Sequence, residues 1–354
     1  IEDVNTPIYE GDEHGSPSKL TRLENSAFDR TPKLTTINLP DSITFIGTYA
    51  FRDSAIEHLI VPAGLGSIGG NTFARMPKLR TVSFAGYQTA IGSNAFTGCA
   101  SLETVVFPPS VKTLNGGTFS GCTALKTVAI NVYPEGHAKA GKSDLQSIVQ
   151  NAFTGCSKLE NIGLTPYLTA ANPQNVLPEG LATIGKTAFK NCTSLKSIVI
   201  PATVNTIAES AFDGSGLTDV KFATYADGEN AGKSSLNTIG GNAFKNTLIT
   251  EIAFPEKTGS GSITIGAMIF KGCLMLNKVT YSKSVTTTPN ELINGARNVT
   301  EIVFPEGHAF VKDGDMLFNA SGDTIIYTYA KPADNKLVVP AGVTTISDYA
   351  FKGQ

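Results

Sequence analysis

The sequence has no stretch of apolar residues that approaches the roughly 20 needed for a membrane-spanning helix, so we expect no transmembrane segment. Charge is also sparse, because Asp, Glu, Lys and Arg make up 16% of the 354 residues and the formal net charge is −2. Without a basic stripe the chain lacks the electrostatic footprint of a nucleic-acid-binding protein, and we expect no nucleic-acid partner. The 41% of hydrophobic residues are enough for a folded core.

Residues that could carry catalysis or bind a metal are few and scattered. The sequence has four histidines and five cysteines, and no two cysteines have the short Cys-x-x-Cys spacing of a zinc site. It also lacks the Gly-x-Ser-x-Gly motif of a hydrolase nucleophile. The histidines are His14, His58, His137 and His308. We therefore expect no enzyme activity, no cofactor and no metal site.

The chain is instead rich in one repeat, marked by a phenylalanine at steps of 22 or 23 residues over its first third. The series is Phe28, Phe51, Phe73, Phe96, Phe119, Phe153, Phe189, Phe212, Phe244, Phe270, Phe318 and Phe351, with Ile293 in one position. About thirteen copies of one unit follow from this spacing. A repeat of this length predicts a solenoid, which offers an extended surface rather than a closed active site.

Each unit predicts one coil of the solenoid. The alternating stretch Leu34-Thr-Thr-Ile-Asn-Leu-Pro40 indicates a short strand with one buried face, ended by proline. The following Ala-Phe step predicts one turn of α- or 3₁₀-helix that directs Phe inward. Stacked coils would then form one long parallel sheet and a column of aromatic rings.

All five cysteines lie three residues after the repeated phenylalanine, at Cys99, Cys122, Cys156, Cys192 and Cys273. This position indicates a small buried residue at a corner of the coil. Stacking would also bring Cys99 near Cys122, which leaves a disulfide open, although an odd total argues against a full framework.

The pattern Leu-x-x-Ile-x-Ile-Pro, Val-x-x-Ile, Ala-Phe-x-x-Cys-x-x-Leu resembles the BspA-like leucine-rich repeats, from about Leu20 to Phe351. The stretch from Phe310 to Phe318 looks like the longer variant unit of that family. The resemblance implies a right-handed curved solenoid with a parallel β-sheet on one face and short helical or 3₁₀ turns on the other. It also implies a secreted or cell-surface location and a role in adhesion or host binding, without identifying a ligand.

The domain prediction is a lead-in or partial coil over residues 1–19 and a single leucine-rich-repeat solenoid of about 13 units over residues 20–354. Because the chain begins with Ile1 and shows no signal peptide, we expect that an upstream piece has been removed.

Three insertions lengthen individual coils, near residues 131–144, 165–179 and 223–235. Insertions at one repeat position project from one edge of a solenoid, which is often the binding edge. They carry four candidate ligand-binding residues, Tyr133, His137, Tyr167 and Tyr225. The alternative is that these are solvated loops with no binding role. The first and third insertions resemble each other from Tyr133 to Ser143 and from Tyr225 to Ser234.

The first insertion also contains Gly136-x-x-x-x-Gly141-Lys142-Ser143, a formal phosphate-loop match. We expect no nucleotide there, because a phosphate loop leads into a helix and this one leads into an ordinary repeat.

The outward positions of the predicted strands form a second candidate surface. They are small and uncharged in the first part of the chain and charged later, from Asp219 to Glu301. The candidates are Thr81, Ser83, Thr104, Thr127, Asn161 and Ser197. A shallow groove for an extended peptide or glycan is one interpretation, and simple strand preference of these residue types is the other.

The sequence thus predicts a non-enzymatic secreted or cell-surface module that binds an extracellular protein or glycan. The alternative prediction is a structural spacer that presents a neighbouring domain.

Overall fold

The computed structural model describes residues 18–169, 172–296, 298–328, 338–348 and 350–351. The predicted lead-in over residues 1–19 lies almost entirely outside these ranges. The described chain is a parallel β-solenoid of about thirteen turns with almost no helix. Its helical segments are a 3₁₀ turn at Thr165–Tyr167 and one α-helical turn at Pro289–Leu292.

One wall of the solenoid is built from strands of three or four residues. Thr104–Phe107 is typical, because Val105 and Phe107 are buried while Val106 is exposed, and Pro108 follows the strand. The strands form groups of five, two and three that pair in parallel. The groups are His58–Val61, Thr81–Phe84, Thr104–Phe107, Thr127–Ile130 and Asn161–Leu164; Ser197–Ile200 and Asp219–Phe222; and Glu251–Ala253, Lys278–Thr280 and Glu301–Val303.

A second wall consists of two-residue strands in which the second residue, Ile or Leu, faces the core. Eight of them form one parallel ladder. They are Ser67–Ile68, Ala90–Ile91, Thr113–Leu114, Ser147–Ile148, Thr183–Ile184, Thr206–Ile207, Thr238–Ile239 and Thr264–Ile265. Arg22–Leu23 and Phe45–Ile46 form a separate parallel pair, as do Lys233–Ser234 and Glu256–Lys257. The prediction of a single long sheet is therefore wrong, because the two-residue strands form a ladder separate from the long strands, and the long strands themselves fall into three groups.

The insertion near residues 165–179 enters the long-strand wall instead of only projecting from it. After the antiparallel pair Leu168–Thr169 and Asn172–Pro173, the chain runs between Asn161–Leu164 and Ser197–Ile200. The buried Asn175 side chain accepts a hydrogen bond from the Ile162 N–H (2.9 Å) and donates to the carbonyls of Glu160 (3.0 Å) and Ser197 (2.9 Å). Gly163 is required beside it, since an added Cβ would lie 2.5 Å from the Val176 carbonyl oxygen.

The turns that carry the repeated phenylalanines are not helical, so that part of the prediction is wrong. From Phe28 to Phe270, the residues two before and two after each phenylalanine have φ between 53° and 77°. Asn and Gly are the commonest residues at these positions, because few other residues adopt the left-handed conformation readily. Two such residues per turn interrupt a helical path. The chain instead makes successive tight turns, such as Thr97 N–H to the Asn94 carbonyl (3.1 Å).

The predicted aromatic column is present. We call the ten stacked rings the phenylalanine column: Phe28, Phe51, Phe73, Phe96, Phe119, Phe153, Phe189, Phe212, Phe244 and Phe270. Neighbouring centroids are 5.1–5.9 Å apart and the rings are nearly parallel. The backbone follows the same spacing, since the Phe96 N–H donates to the Thr118 carbonyl of the next coil (2.9 Å).

The regular stack changes at the C-terminal side. Ile293 is buried at the next position, but Phe318 lies on a strand of a separate mixed sheet, which has two antiparallel pairs and one parallel pair, so its assignment to the column is wrong. The sheet contains Phe310–Asp313, Met316–Asn319, Thr324–Thr328 and Thr345–Ile346. A tight turn at Gly314 reverses the chain and produces the hairpin. Phe318, Ile325 and Ala350 form a hydrophobic cluster separate from the main one, which extends from Leu23 to Ile302.

Candidate functional site

Four tyrosines occupy one position of the repeat, three residues after the end of a long strand. We call them the tyrosine edge: Tyr87, Tyr133, Tyr167 and Tyr225. Three of them were predicted from the insertions. Tyr87 was missed because its coil has ordinary length, although its repeat position was a signal in the sequence.

The structure brings Tyr87 and Tyr133 together although they belong to coils two apart. Their ring centroids are 6.3 Å apart and their planes are 10° from parallel. Ser110, a short residue, occupies the same position in the coil between them. Tyr87 is 62% exposed while Tyr133 is 7% exposed, so the buried ring supports the exposed one.

Tyr133 is held on its other sides by its own loop. His137 stacks on it at 4.2 Å with planes 7° apart, and the Tyr133 hydroxyl donates to Oδ2 of Asp144 (2.8 Å). Lys139 Nζ donates to Oδ1 of Asp144 (2.7 Å) and lies 5.6 Å from the centre of the Tyr133 ring. The predicted pair Tyr133 and His137 therefore belongs to one cluster, to which the structure adds Lys139 and Asp144.

The surroundings shift the pKa values of Tyr133 and Asp144 in opposite directions. Burial, and then the hydrogen bond to the Asp144 carboxylate, raise the pKa of Tyr133 to about 12. For Asp144, burial opposes ionisation, but hydrogen bonds from Lys139 and Tyr133 outweigh it and hold its pKa below the ordinary value. A carboxyl with a depressed pKa stabilises the fold above its unfolded-state pKa and loses this contribution as the pH falls through the lowered value.

The third insertion repeats the backbone of the first, as their sequence similarity predicts. The Tyr133 N–H donates to the Lys142 carbonyl (2.8 Å), and the Tyr133 carbonyl accepts from the Gly141 N–H (2.9 Å). In the third insertion, the Tyr225 N–H donates to the Lys233 carbonyl (2.8 Å) and its carbonyl accepts from the Gly232 N–H (2.9 Å). The Tyr225 hydroxyl lies 2.7 Å from Oγ of Ser235, where the first loop has Asp144. The two loops are thus one structural unit used twice.

Tyr167 stands apart from this cluster. It ends the 3₁₀ turn, is 46% exposed, and its carbonyl accepts a hydrogen bond from the Gln174 N–H (2.8 Å). Among the described residues, its ring contacts neither Tyr133 nor Tyr225.

Most of the strand-face candidates lie side by side on neighbouring strands of the long-strand wall. Thr81, Thr104, Thr127 and Asn161 are register partners on neighbouring strands. Ser83 lies on the same face as Thr81, two residues further along the same strand. Ser197 is separated from Asn161 by the inserted segment, whose Asn175 side chain donates to the Ser197 carbonyl. His58 extends the row, because its Nδ1 lies 2.8 Å from Oγ1 of Thr81. Thr81 and Ser83 are exposed, and the other candidates are half-buried.

The cysteines are free and fully buried. Each thiol donates to the carbonyl of the column phenylalanine in the preceding coil, as Cys122 does to Phe96 (3.1 Å). Burial raises the pKa of Cys99 and Cys156 to about 12 and raises those of the other three as well. These thiols are therefore packing residues rather than nucleophiles at neutral pH.

The described part of the chain contains no group of three or more His, Cys, Asp and Glu side chains placed to hold a metal ion. None of its helices has the length and hydropathy required to span a membrane.

Comparison with known families agrees with this geometry. The sequence matches the family described as "BspA type Leucine rich repeat region", in six copies, over residues 13–129, 173–228 and 231–354. The match covers well over half of the chain. The chain therefore belongs to the BspA-type leucine-rich-repeat family.

Several solved structures of bacterial repeat proteins are similar to this chain. A leucine rich cell surface protein from Faecalibacterium prausnitzii is 20% identical, with 81% of this chain and 84% of that chain covered and a TM-score of 0.34. A leucine-rich repeat protein from Bacteroides ovatus is 23% identical, with 81% and 88% covered and a TM-score of 0.32. The T. pallidum leucine rich repeat protein is 21% identical, with 62% of this chain and 78% of that chain covered and a TM-score of 0.41. None of the curated proteins matches the sequence significantly.

Proposed function

We propose that this chain is a non-enzymatic binding module that acts at the cell surface or after secretion. Its ligand is an extracellular protein or glycan, bound along the tyrosine edge and the neighbouring strand face. Membership of a leucine-rich-repeat family supports a repeat-protein binding or scaffold role. The extracellular location and the adhesive role extend that statement, and they rest on the family resemblance.

The observation that carries the proposal is the exposed Tyr87 ring stacked on the buried Tyr133. Tyrosine supplies a large contact area with few rotatable bonds, and a ring already held in place loses little entropy on binding. Lys139 and His137 add polar groups beside the rings. These features suit a ligand that offers an apolar patch rimmed by hydrogen-bonding groups, as sugars and extended peptides do.

The neighbouring strand face offers further contacts for an extended ligand. Its aligned Thr81, Thr104 and Thr127 present hydroxyl groups one strand apart, about 4.8 Å. Weak contacts repeated along such a row add up to a stronger interaction when the ligand is itself extended.

The test is a screen of the purified chain against immobilised matrix proteins, mucins and a glycan array at physiological salt. For any saturable ligand, we expect Tyr87→Ala to weaken binding by about tenfold or more, as removal of a central aromatic anchor usually does. Tyr49→Asn is the matched control, because Tyr49 lies on a turn of another coil and Asn suits its positive φ.

Equal binding by the wild type and the Tyr87→Ala variant would contradict the tyrosine edge as the site. No binding across the whole panel would contradict the module and favour the alternative, a spacer that presents a neighbouring domain.

A further inference from the structure

A cleft of about 730 Å³ lies beside Glu301–Val303, the last strand of the parallel long-strand wall among the described residues. Its lining includes Ile302, Phe304 and Pro305 at the end of this strand and Phe310 and Val311 of the C-terminal hairpin, and the Phe304 and Phe310 rings meet edge to face with centroids 5.8 Å apart. The main hydrophobic cluster ends at Ile302, so the cleft lies where the regular stack of coils is interrupted.

The backbone along this cleft is an unpaired strand edge. In a parallel ladder, alternate residues of a strand bond to opposite neighbours. Glu301 and Val303 bond to the preceding strand, through the Glu301 N–H to the Asn277 carbonyl (3.0 Å) and the Tyr281 N–H to the Val303 carbonyl (2.8 Å). The N–H and C=O of Ile302 therefore point to the other edge. In the described ranges no strand pairs with that edge.

Side chains on the outer face of the wall make the edge selective for charge. Glu251, Lys278 and Glu301 are register partners, so the charge alternates from strand to strand. Lys278 Nζ lies 2.9 Å from Oε1 of Glu301. A further strand in the same register would continue the alternation with a basic residue, and opposite charges across strands are stabilising. Glu306 and Lys312, which are both exposed, also line the cleft with opposite charges, so the preference for a basic residue rests on Glu301.

We propose that this cleft binds an extended segment of a partner protein, which adds to the wall as a parallel strand after Glu301–Val303. The segment carries Lys or Arg opposite Glu301 and an apolar residue opposite Ile302. Its backbone pairs with the N–H and C=O of Ile302. Phe304, Phe310 and Val311, which is 47% exposed, contact its apolar side chains. This mode of recognition draws affinity from main-chain hydrogen bonds and specificity from alternate side chains.

The chain itself supplies a probe. A fluorescent peptide with the sequence of residues 276–281, Leu-Asn-Lys-Val-Thr-Tyr, copies the strand on which Glu301–Val303 already pairs. We expect it to bind the intact chain with an affinity measurable by fluorescence anisotropy in the micromolar to millimolar range. A Lys278→Glu peptide places like charges together and should bind about tenfold more weakly. A Thr280→Pro peptide lacks the N–H that would reach the Ile302 carbonyl, and it should not bind.

The reverse change on the protein completes the test. Glu301→Lys should prefer the Lys278→Glu peptide over the original one. Glu103→Lys is the matched control, because Glu103 also forms an ion pair (3.3 Å to Arg80) but precedes Thr104–Phe107, which is hydrogen-bonded on both edges. It should leave binding unchanged. Hydrogen–deuterium exchange over residues 299–306 should slow when the peptide saturates the protein.

Three outcomes would overturn the proposal. The first is no binding of the original peptide at millimolar concentration. The second is that the Thr280→Pro peptide binds and Glu301→Lys does not change binding, and the third is slower hydrogen exchange only in other coils. The proposal is independent of the tyrosine edge, because Tyr87→Ala should leave peptide binding intact. Failure of one site therefore leaves the other standing.

Discussion

At the scale of single residues, one phenylalanine ring per coil stacks on the rings of the neighbouring coils. Phe119 is fully buried and stacks on Phe96 at 5.4 Å and on Phe153 at 5.6 Å. The edge of Phe107 also meets it, at 5.8 Å. A ring inside the column thus contacts the coils on both sides, and its removal weakens the packing of three coils.

We therefore expect Phe119→Ala to lower the free energy of unfolding by about 3–5 kcal/mol, through lost burial and the cavity left behind. Urea denaturation followed by circular dichroism measures this. Tyr87→Ala serves as the control, since a largely exposed ring with one stacking contact should cost only about 0.5–1.5 kcal/mol. Similar midpoints for the two variants would show that the column is not the main core.

Spacing alone predicted this column from Phe28 to Phe270, because each coil needs one large ring at one position. The same reasoning placed the cysteines in buried corners. Their hydrogen bonds were not predictable, since they depend on the turn geometry. At the equivalent position, Thr247 Oγ1 bonds to the Phe244 carbonyl within its own coil (2.8 Å), while the buried Ser54 Oγ has no partner. Any small buried residue fits this position of the repeat, and a cysteine thiol also donates a hydrogen bond to a carbonyl of the preceding coil.

At the scale of elements, the turns around the column are fixed by their left-handed residues. Four coils have Asn two residues before the column phenylalanine, namely Asn71, Asn94, Asn151 and Asn242. Met268 occupies the same position with φ of 59°, and its side chain is exposed. An unbranched apolar residue gains nothing there to offset the steric cost of the left-handed conformation.

Met268→Asn should therefore raise the free energy of unfolding by about 0.5–1 kcal/mol, since Asn tolerates this conformation better. The reverse substitution at an equivalent turn, Asn242→Met, should lower it by a similar amount. Thermal melting of the two variants beside the wild type provides the comparison. A loss of stability in Met268→Asn would mean that the methionine side chain makes a stabilising contact that outweighs the strain.

The loops illustrate what sequence reasoning could and could not supply at this scale. Similar sequences at Tyr133 and Tyr225 predicted similar loops, because both carry glycines at the same turns. The cluster around Tyr133 was only half predicted. Tyr87 comes from a coil two units earlier and meets Tyr133 only because Ser110 is short, which is a property of the stack and not of either loop.

At the scale of the whole molecule, the solenoid is not uniform along its length. The main cluster runs continuously from Leu23 to Ile302, and a separate small one is built on Phe318. Phe310 and Tyr327 of the C-terminal sheet pack against the main cluster. The regular spacing predicted one solenoid across residues 20–354, and that division remains a prediction. Spacing could not reveal the hairpin, because Phe318 still falls in an apolar position while the chain reverses at Gly314.

Separate clusters imply that the C-terminal unit, from Phe310 to Phe351 in its described part, opens at a lower cost than the main stack. Phe318→Ala removes a buried ring from a cluster of only three buried residues. We expect faster hydrogen–deuterium exchange over residues 310–328 in this variant, with the main unfolding midpoint unchanged. Phe119→Ala should lower the main midpoint instead. If Phe318→Ala lowered the main midpoint as much as Phe119→Ala does, the hairpin would belong to the same cooperative unit as the coils, and the cleft between them would be a fixed part of one core.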